Sequence, residues 1–279
     1  MFISNIDILY DNLVKGLSQF FHDQGKEKAV LGLSGGIDSA VVLAIATEAL
    51  GKDNVHGILM PSPFSTLSSV TDAVELASNL GVKHSIVTIE AIYNRYMKEF
   101  DALFCGDIKG ITSENLQARI RGDILMAYSN NTGALLINTS NKSELAMGYG
   151  TLYGDLSGAI MVIGDVYKLQ TYNIARYINT TKQIIPESTL TKEPSAELKD
   201  NQKDSDSLPK YSILDPILYA LIEENISPEE LIESGAERIL INRIVKLMKN
   251  SSFKVHQLPP VLQVRDHPLL PENKCIKCF

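Results

Sequence analysis

Cysteine is scarce in this sequence: three occur in 279 residues, at positions 105, 275 and 278. Three thiols make no disulfide framework, and the chain is expected to be cytoplasmic. An unbroken apolar run of about 18 residues is missing too, which excludes a membrane-spanning helix. The first twenty residues lack the continuous apolar stretch of a secretion signal. Their apolar residues Ile6, Leu9, Leu13, Leu17 and Phe20 instead form the stripe of an amphipathic helix. Nor is there an excess of positive charge, because 26 Lys and Arg against 33 Asp and Glu leave a net charge of −7. Proteins that grip DNA or tRNA usually carry a basic footprint, so no nucleic-acid partner is expected. Internal repeats and low-complexity tracts are also absent.

What is present alternates between two periods. Short apolar runs at residues 29–33, 55–60, 85–89 and 134–138 read as strands. Helices are expected between them, over residues 38–50, 66–80, up to about 104, and 114–130 with Thr112 or Ser113 as cap. In the second of these, Val70, Ala73, Val74, Ala77 and Leu80 share one face, and Gly81 stands where a helix ends. Strands separated by single helices imply right-handed crossovers and a parallel sheet. The expected fold is α/β, a Rossmann-like doubly wound sheet that binds ligands beyond the carboxyl ends of its strands. Further helices are expected over residues 216–224, 228–234 and 236–249, followed by an irregular, proline-rich tail from Phe253. Cys275-x-x-Cys278 offers only two zinc ligands and reads as part of an exposed tail. Cys105 reads as a small buried or half-buried thiol.

The sharpest signal is Ser34-Gly35-Gly36-Ile37-Asp38-Ser39, between the first strand and its helix. Two glycines let the backbone turn close to a ligand, and free N–H groups at the helix start form an anion site. Asp38 would repel a phosphate unless a cation lay between them, so its presence implies Mg²⁺. No Walker lysine follows the glycines, so this is not the common P-loop. Three more strings carry chemistry. In Glu114-Asn115-Leu116-Gln117-Ala118-Arg119, Asn115 and Arg119 share one helix face. After the fourth strand, Asn138-Thr139-Ser140-Asn141-Lys142-Ser143-Glu144 brings Glu144 to where it could meet Asp38 across one metal ion. A third string runs from Pro186 through Ser195 to Tyr211. Its polar stretch, residues 192–209, reads either as a disordered loop or as a mobile lid.

The glycine string resembles the loop of the ATP-pyrophosphatase superfamily, whose shared chemistry is adenylation with release of pyrophosphate. With the other strings, and most specifically residues 141–168, the chain resembles NAD synthetases from about Ala29 to Val264. The resemblance implies one synthetase domain over residues 1–279. It also implies a ligase that adenylates the carboxylate of deamido-NAD with ATP and amidates it with ammonia. No amidase segment is recognised in the chain, so ammonia is the expected nitrogen donor. Ser34, Gly35, Gly36, Ile37, Asp38, Ser39, Leu59, Thr139, Lys168 and Ser195 match ATP contacts, with Lys168 opposing charge as pyrophosphate leaves. Asp38 and Glu144 match Mg²⁺ ligands. Asn115, Arg119, Tyr149, Gly150, Thr151, Leu152, Asp155 and Lys254 match the deamido-NAD site. The apolar faces of the first helix and of residues 114–130, with the resemblance, imply a homodimer. Alternatives are another adenylating member of the superfamily, forming GMP or modifying tRNA, and an ATP-binding module without turnover.

Overall fold

The computed structural model describes residues 5–278, so Phe279, the last residue of the tail, lies outside them. The first half runs α1 (Ile6–Asp23), β1 (Ala29–Gly32), α2 (Ile37–Leu50), β2 (Val55–Leu59), α3 (Leu67–Leu80) and β3 (Lys83–Ile86). Next come α4 (Glu90–Phe104), α5 (Gly110–Thr132), β4 (Leu135–Asn138), α6 (Lys142–Met147), β5 (Ile160–Met161) and α7 (Lys168–Ile178). The last part holds α8 (Glu187–Thr191), α9 (Tyr211–Ile222), α10 (Pro228–Glu233), α11 (Arg238–Val255), β6 (Val261–Gln263) and β7 (Cys275–Lys277). The strands form one sheet in the order β3-β2-β1-β4-β5-β6-β7, and every neighbouring pair is parallel. The expected Rossmann-like architecture is therefore present, with the order reversing between β1 and β4.

Alternation along β1 assigns the two layers. Ala29 and Leu31 face a core made with Leu13, Leu17 and Phe21 of α1, Val41 and Ile45 of α2, and Ile174 of α7. Val30 faces the opposite layer, with Tyr93 of α4 and Leu116 and Ile120 of α5. The apolar stripe of α1 is thus covered within the chain. A third cluster joins α6, α9 and α11 through Ala146, Leu214, Leu218 and Ile244.

Several boundaries differ from the sequence reading, each for a local reason. β3 starts at Lys83 because its register runs from His56↔Lys83 to Leu59↔Ile86. Ile89 is instead buried at the start of α4. α5 begins four residues early, so Thr112 and Ser113 lie inside it, and the Ser113 hydroxyl bonds Tyr93 Oη at 2.7 Å instead of capping. α9 begins at Tyr211 and carries Pro216 in its interior, an unfavourable position offset by the burial of Tyr211, Leu214 and Leu218. α11 continues to Val255, so Phe253 and Lys254 are helical.

The tail is not irregular throughout, because β6 and β7 extend the sheet. Strands of two or three residues, like these and β5, carry no readable period. Successive faces of β7 separate the two cysteines. Cys278 packs toward α1, while Cys275 joins Leu258 and Leu270. They do not converge on a common ligand. Cys105 is exposed, not buried, and ends α4 in the left-handed region with φ 52°.

The end of the chain is fastened by one buried charge. Lys142 Nζ donates to Asp165 Oδ1 at 2.7 Å, Glu223 Oε1 at 2.5 Å and the His267 carbonyl at 2.8 Å. Asp165 also accepts from the Val264 N–H at 2.9 Å. The ammonium is fully buried, so removing it strands two acids away from water. Lys142→Met is expected to destabilise the fold by about 3–5 kcal/mol. Urea unfolding followed by circular dichroism would check this, and a change within error would remove Lys142 from the framework.

Candidate active site

The site lies where the sheet order reverses, beyond the carboxyl ends of β1 and β4. A cavity of about 300 Å³ opens there, floored by Gly32 to Ser34 after β1 and by Leu136 to Thr139 of β4 and its exit. The turn after β1 depends on Gly35, whose φ is +78°. A Cβ at that position would collide with the Ser69 carbonyl of α3, so only glycine fits. Ser34 Oγ accepts from the Gly36 N–H at 3.1 Å and meets Ser39 Oγ at 3.1 Å, which tightens the loop. Gly36 precedes α2, leaving Asp38 in its first turn, where the helix field favours a carboxylate.

Asp38 is held from across the sheet. Its Oδ1 accepts from Asn141 Nδ2 at 2.9 Å, and its Oδ2 accepts from Lys168 Nζ at 2.6 Å. Asn141 also starts α6: its Oδ1 accepts from the Glu144 N–H, and Glu144 Oε2 accepts from the Asn141 N–H. This capping box aims the other Glu144 oxygen, Oε1, at Lys168 Nζ, 3.1 Å away. Lys168 is the first residue of α7. Ser143 Oγ accepts its N–H at 3.0 Å, and Asp215 of α9 accepts both Ser143 Oγ and the Leu169 N–H. One ammonium therefore joins acids from the β1 and β4 exits.

Over these groups lies the segment after α8. Glu197 accepts from Thr66 N at 3.2 Å, Thr66 Oγ1 at 2.9 Å and Ser69 Oγ at 2.6 Å, all at the start of α3. Lys192 pairs with Asp72 at 3.0 Å, and Gln117 Nε2 donates to the Leu198 carbonyl at 2.8 Å. Asp204 accepts from Tyr211 Oη at 3.0 Å and Tyr149 Oη at 3.3 Å. The polar stretch is thus packed across the cavity through named bonds.

Residues 9–259 match the family model described as NAD synthase. The chain belongs to that family. A glutamine-dependent NAD(+) synthetase of Synechocystis sp. is 50% identical over 258 residues, which is 92% of this chain and 46% of that protein. The chain spans about half the length of the curated relatives it matches. Among solved structures, the NH3-dependent NAD synthetase of Campylobacter jejuni, in complex with the nitrate ion, is 31% identical with TM-score 0.73. That match covers 94% of this chain and all (100%) of the other. An NMN synthetase of Francisella tularensis is 27% identical with TM-score 0.77, covering 90% and 96% of the two chains.

The residues matched to ATP largely share the cavity. Ser34, Gly36, Ile37, Asp38, Leu59, Thr139, Lys168 and Ser195 line it, while Gly35 and Ser39 shape the loop behind. The residues matched to deamido-NAD divide. Tyr149 and Asp155 line the cavity, and the others build the segment that carries them. Asn115 Oδ1 accepts from Thr151 Oγ1 at 2.8 Å, Arg119 Nε donates to the Leu152 carbonyl at 3.3 Å, and Lys254 Nζ donates to the Gly148 and Gly150 carbonyls. Asp155 itself accepts from the Thr151 N–H at 2.5 Å. Arg119 lines a separate hollow between α4 and α5, with Tyr96, Phe100 and Phe104.

Sequence reasoning missed Asn141, Ser143, Asp204, Asp215, Glu197 and Arg121 as parts of the site. Asn141-x-x-Glu144 was legible as a capping box. The others act through contacts between distant segments, which leave no local pattern.

Burial dominates the electrostatics. It pushes the Glu144 carboxyl up to about 8, with Lys168 pulling it back and Asp38 adding to the rise. Burial alone would depress the Lys168 ammonium, but Asp38 and Glu144 more than offset it and raise it. The two shifts compete, since an ionised Glu144 is one reason for the second. Of the two contacts to Lys168, that of Asp38 at 2.6 Å is the shorter and that of Glu144 is 3.1 Å.

A folded-state value above the unfolded one gives stability that is complete below the ordinary glutamate range and lost as pH rises through about 8. In EDTA, the urea midpoint of the wild type is therefore expected to fall between pH 5 and 8.5, and Glu144→Gln to flatten that fall. An identical pH dependence in both proteins would contradict the rise at Glu144.

Proposed function

We propose that this chain adenylates the carboxylate of deamido-NAD with ATP and amidates it with ammonia, giving NAD, AMP and pyrophosphate. The observation that carries the reading is the meeting of Asp38, Glu144 and Lys168 beside the glycine turn, in a cavity reached also by Tyr149 and Asp155. Family membership supports the reaction class. A carboxylate is a poor acceptor for ammonia, and adenylation converts it to a mixed anhydride. A carboxylate oxygen forms a bond to the α-phosphorus as the bond to the bridging oxygen of pyrophosphate breaks. Ammonia nitrogen then bonds the acyl carbon, AMP departs with the C–O electrons, and the surplus proton leaves nitrogen.

The chain's own groups work by position and charge. The Ser34–Ser39 turn receives phosphate oxygens, and Lys168 opposes the charge that grows on the departing pyrophosphate. Two hard carboxylate donors converging on one cation fit Mg²⁺, which keeps waters and phosphate oxygens as its remaining ligands. Asp38 and Glu144 would hold it, and when bound it supplies neutralisation of phosphate charge. Asn115, Arg119, Lys254 and the 148–155 segment form the binding region for deamido-NAD. The exposed side chains Tyr96, Leu103, Phe104 and Ile111 of α4 and α5 support a homodimer. The nearby hollow that includes Arg119 supports placing the dinucleotide near that interface.

Pyrophosphate release tests the reading. With deamido-NAD, turnover is expected with ammonium and almost none with glutamine, and Lys168→Met is expected to lower kcat/KM by about 10²–10³-fold. Efficient glutamine use by the pure chain would refute the nitrogen assignment. Turnover with XMP or tRNA in place of deamido-NAD would assign another acceptor, as would preference for the corresponding mononucleotide. ATP binding without pyrophosphate release would favour a non-catalytic module.

The segment over residues 192–209 acts as a lid that excludes water from the acyl adenylate. Its proteolysis is expected to slow when ATP and deamido-NAD are added. Glu197→Gln, which weakens the hold on α3, is expected to speed cleavage of the free chain several-fold. Equal rates with and without substrates would sink the lid.

A further inference from the structure

Three cationic side chains line the main cavity, and two are already engaged. Lys168 is paired with Asp38 and Glu144, and Lys192 with Asp72. The third is Arg121 of α5. Its Nε donates to the Met60 carbonyl at 3.0 Å, and no other hydrogen bond or ion pair engages its guanidinium among the described residues. Asp155 and Glu197 favour its charge only from beyond contact distance. Burial opposes that charge and is the larger effect, drawing the guanidinium down to about 10. A partly desolvated guanidinium with donors unused is costly unless something supplies acceptors.

Placement indicates what that acceptor is. Arg121 is two residues beyond Arg119, yet the two diverge: Arg119 turns to the outer hollow and Arg121 to the main cavity. Its Nε anchor, Met60, directly follows Leu59 at the end of β2, on the side matched to ATP. Asp155, on the side matched to the dinucleotide, is among the charges that act on it. The side chain thus stands where the two proposed substrates approach each other, and fastening Nε fixes the plane of the fork. Arginine suits a tetrahedral phosphoryl group or a carboxylate because its forked donors reach two oxygens at once.

We propose that Arg121 is a substrate-binding residue whose free guanidinium edge takes an oxyanion of the reacting pair, either a phosphoryl oxygen of ATP or the carboxylate to be adenylated. This rests on the proposed reaction for the identity of the acid, but not for the binding of a nucleotide. Arg121 thereby adds a second positive charge to the cavity that Lys168 lines, and it discriminates in favour of a substrate that brings an anion to it.

Two measurements on Arg121→Gln and Arg121→Lys separate the sources. The first is calorimetric Kd for a non-hydrolysable ATP analogue with Mg²⁺. The second is the KM for deamido-NAD in the pyrophosphate assay at saturating ATP. A rise of about tenfold or more in the analogue's Kd supports the phosphate source. An unchanged Kd with a rise of about tenfold in the KM for deamido-NAD supports the carboxylate source. Lysine is expected to recover only part of either loss, because it keeps the charge and loses the fork.

Changes below about threefold in both quantities overturn the proposal. Melting by circular dichroism accompanies each variant. If the glutamine variant does not fold, the lysine variant decides on the same thresholds. If the wild type turns over no deamido-NAD, the proposed acid is wrong, and the role of Arg121 is decided on nucleotide affinity alone.

Discussion

The structure turns on one buried ammonium. Lys168 Nζ joins Asp38, from the first turn of α2, to Glu144, from the helix after β4. Those two strands are neighbours only because the sheet order reverses between them, which opens a crevice at their carboxyl ends. The contact therefore depends on topology and not on sequence proximity. Its geometry is set from behind by a relay: Asp215 accepts from Ser143 Oγ and the Leu169 N–H, and Ser143 in turn accepts from the Lys168 N–H. Burial pushes the Asp215 carboxyl up to about 6, so its two hydrogen bonds compensate a real desolvation cost.

A second lysine, Lys142, makes a useful contrast. Both side chains are buried and each faces two acids, but Lys142 is also sealed by the His267 carbonyl and lies outside the cavity. Lys168 is open to the cavity, with the Tyr211 ring centroid 5.1 Å away on one side. The sealed node fastens the C-terminal segment and the start of α7 to α6. The open node is then available to exchange partners when charge enters. Asn141 adjoins Lys142 in sequence and holds Asp38, so framework and site share the first turn of α6.

Much of this was legible in the sequence, and the failures have physical causes. The glycine turn, Asp38 and Glu144 sit in local patterns whose chemistry is carried by neighbouring residues, and the four strands up to β4 with the helices between them followed from periodicity. β5, β6 and β7 hold two or three residues each, too few to show a period, so β5 was not read as a strand and β6 and β7 fell in a segment read as an irregular tail. Thr112 and Ser113 look like a helix cap, but a tertiary bond to Tyr93 claims the serine hydroxyl. The polar composition of residues 192–209 could not separate disorder from docking. Its hold rests on single polar atoms, such as the Glu197 carboxylate on the start of α3. Asp215 and Asp204 are isolated acids in sequence and gain meaning only from what folds against them.

The charge around Lys168 explains why the cavity needs more than that lysine. Asp38, Glu144 and Asp204 all act on it, and burial raises the Asp204 carboxyl as well as that of Glu144. Three acids against one ammonium would repel a triphosphate if all were ionised. Burial, the largest cause of the rise at Glu144 and at Asp204, opposes that build-up of negative charge. Asp38 and Glu144 would hold Mg²⁺, which when bound would supply neutralisation of the phosphate charge. On this argument the Asp38–Lys168–Glu144 bridge is the arrangement that the proposed nucleotide would meet, with Lys168 already placed between the two acids that would hold its cation.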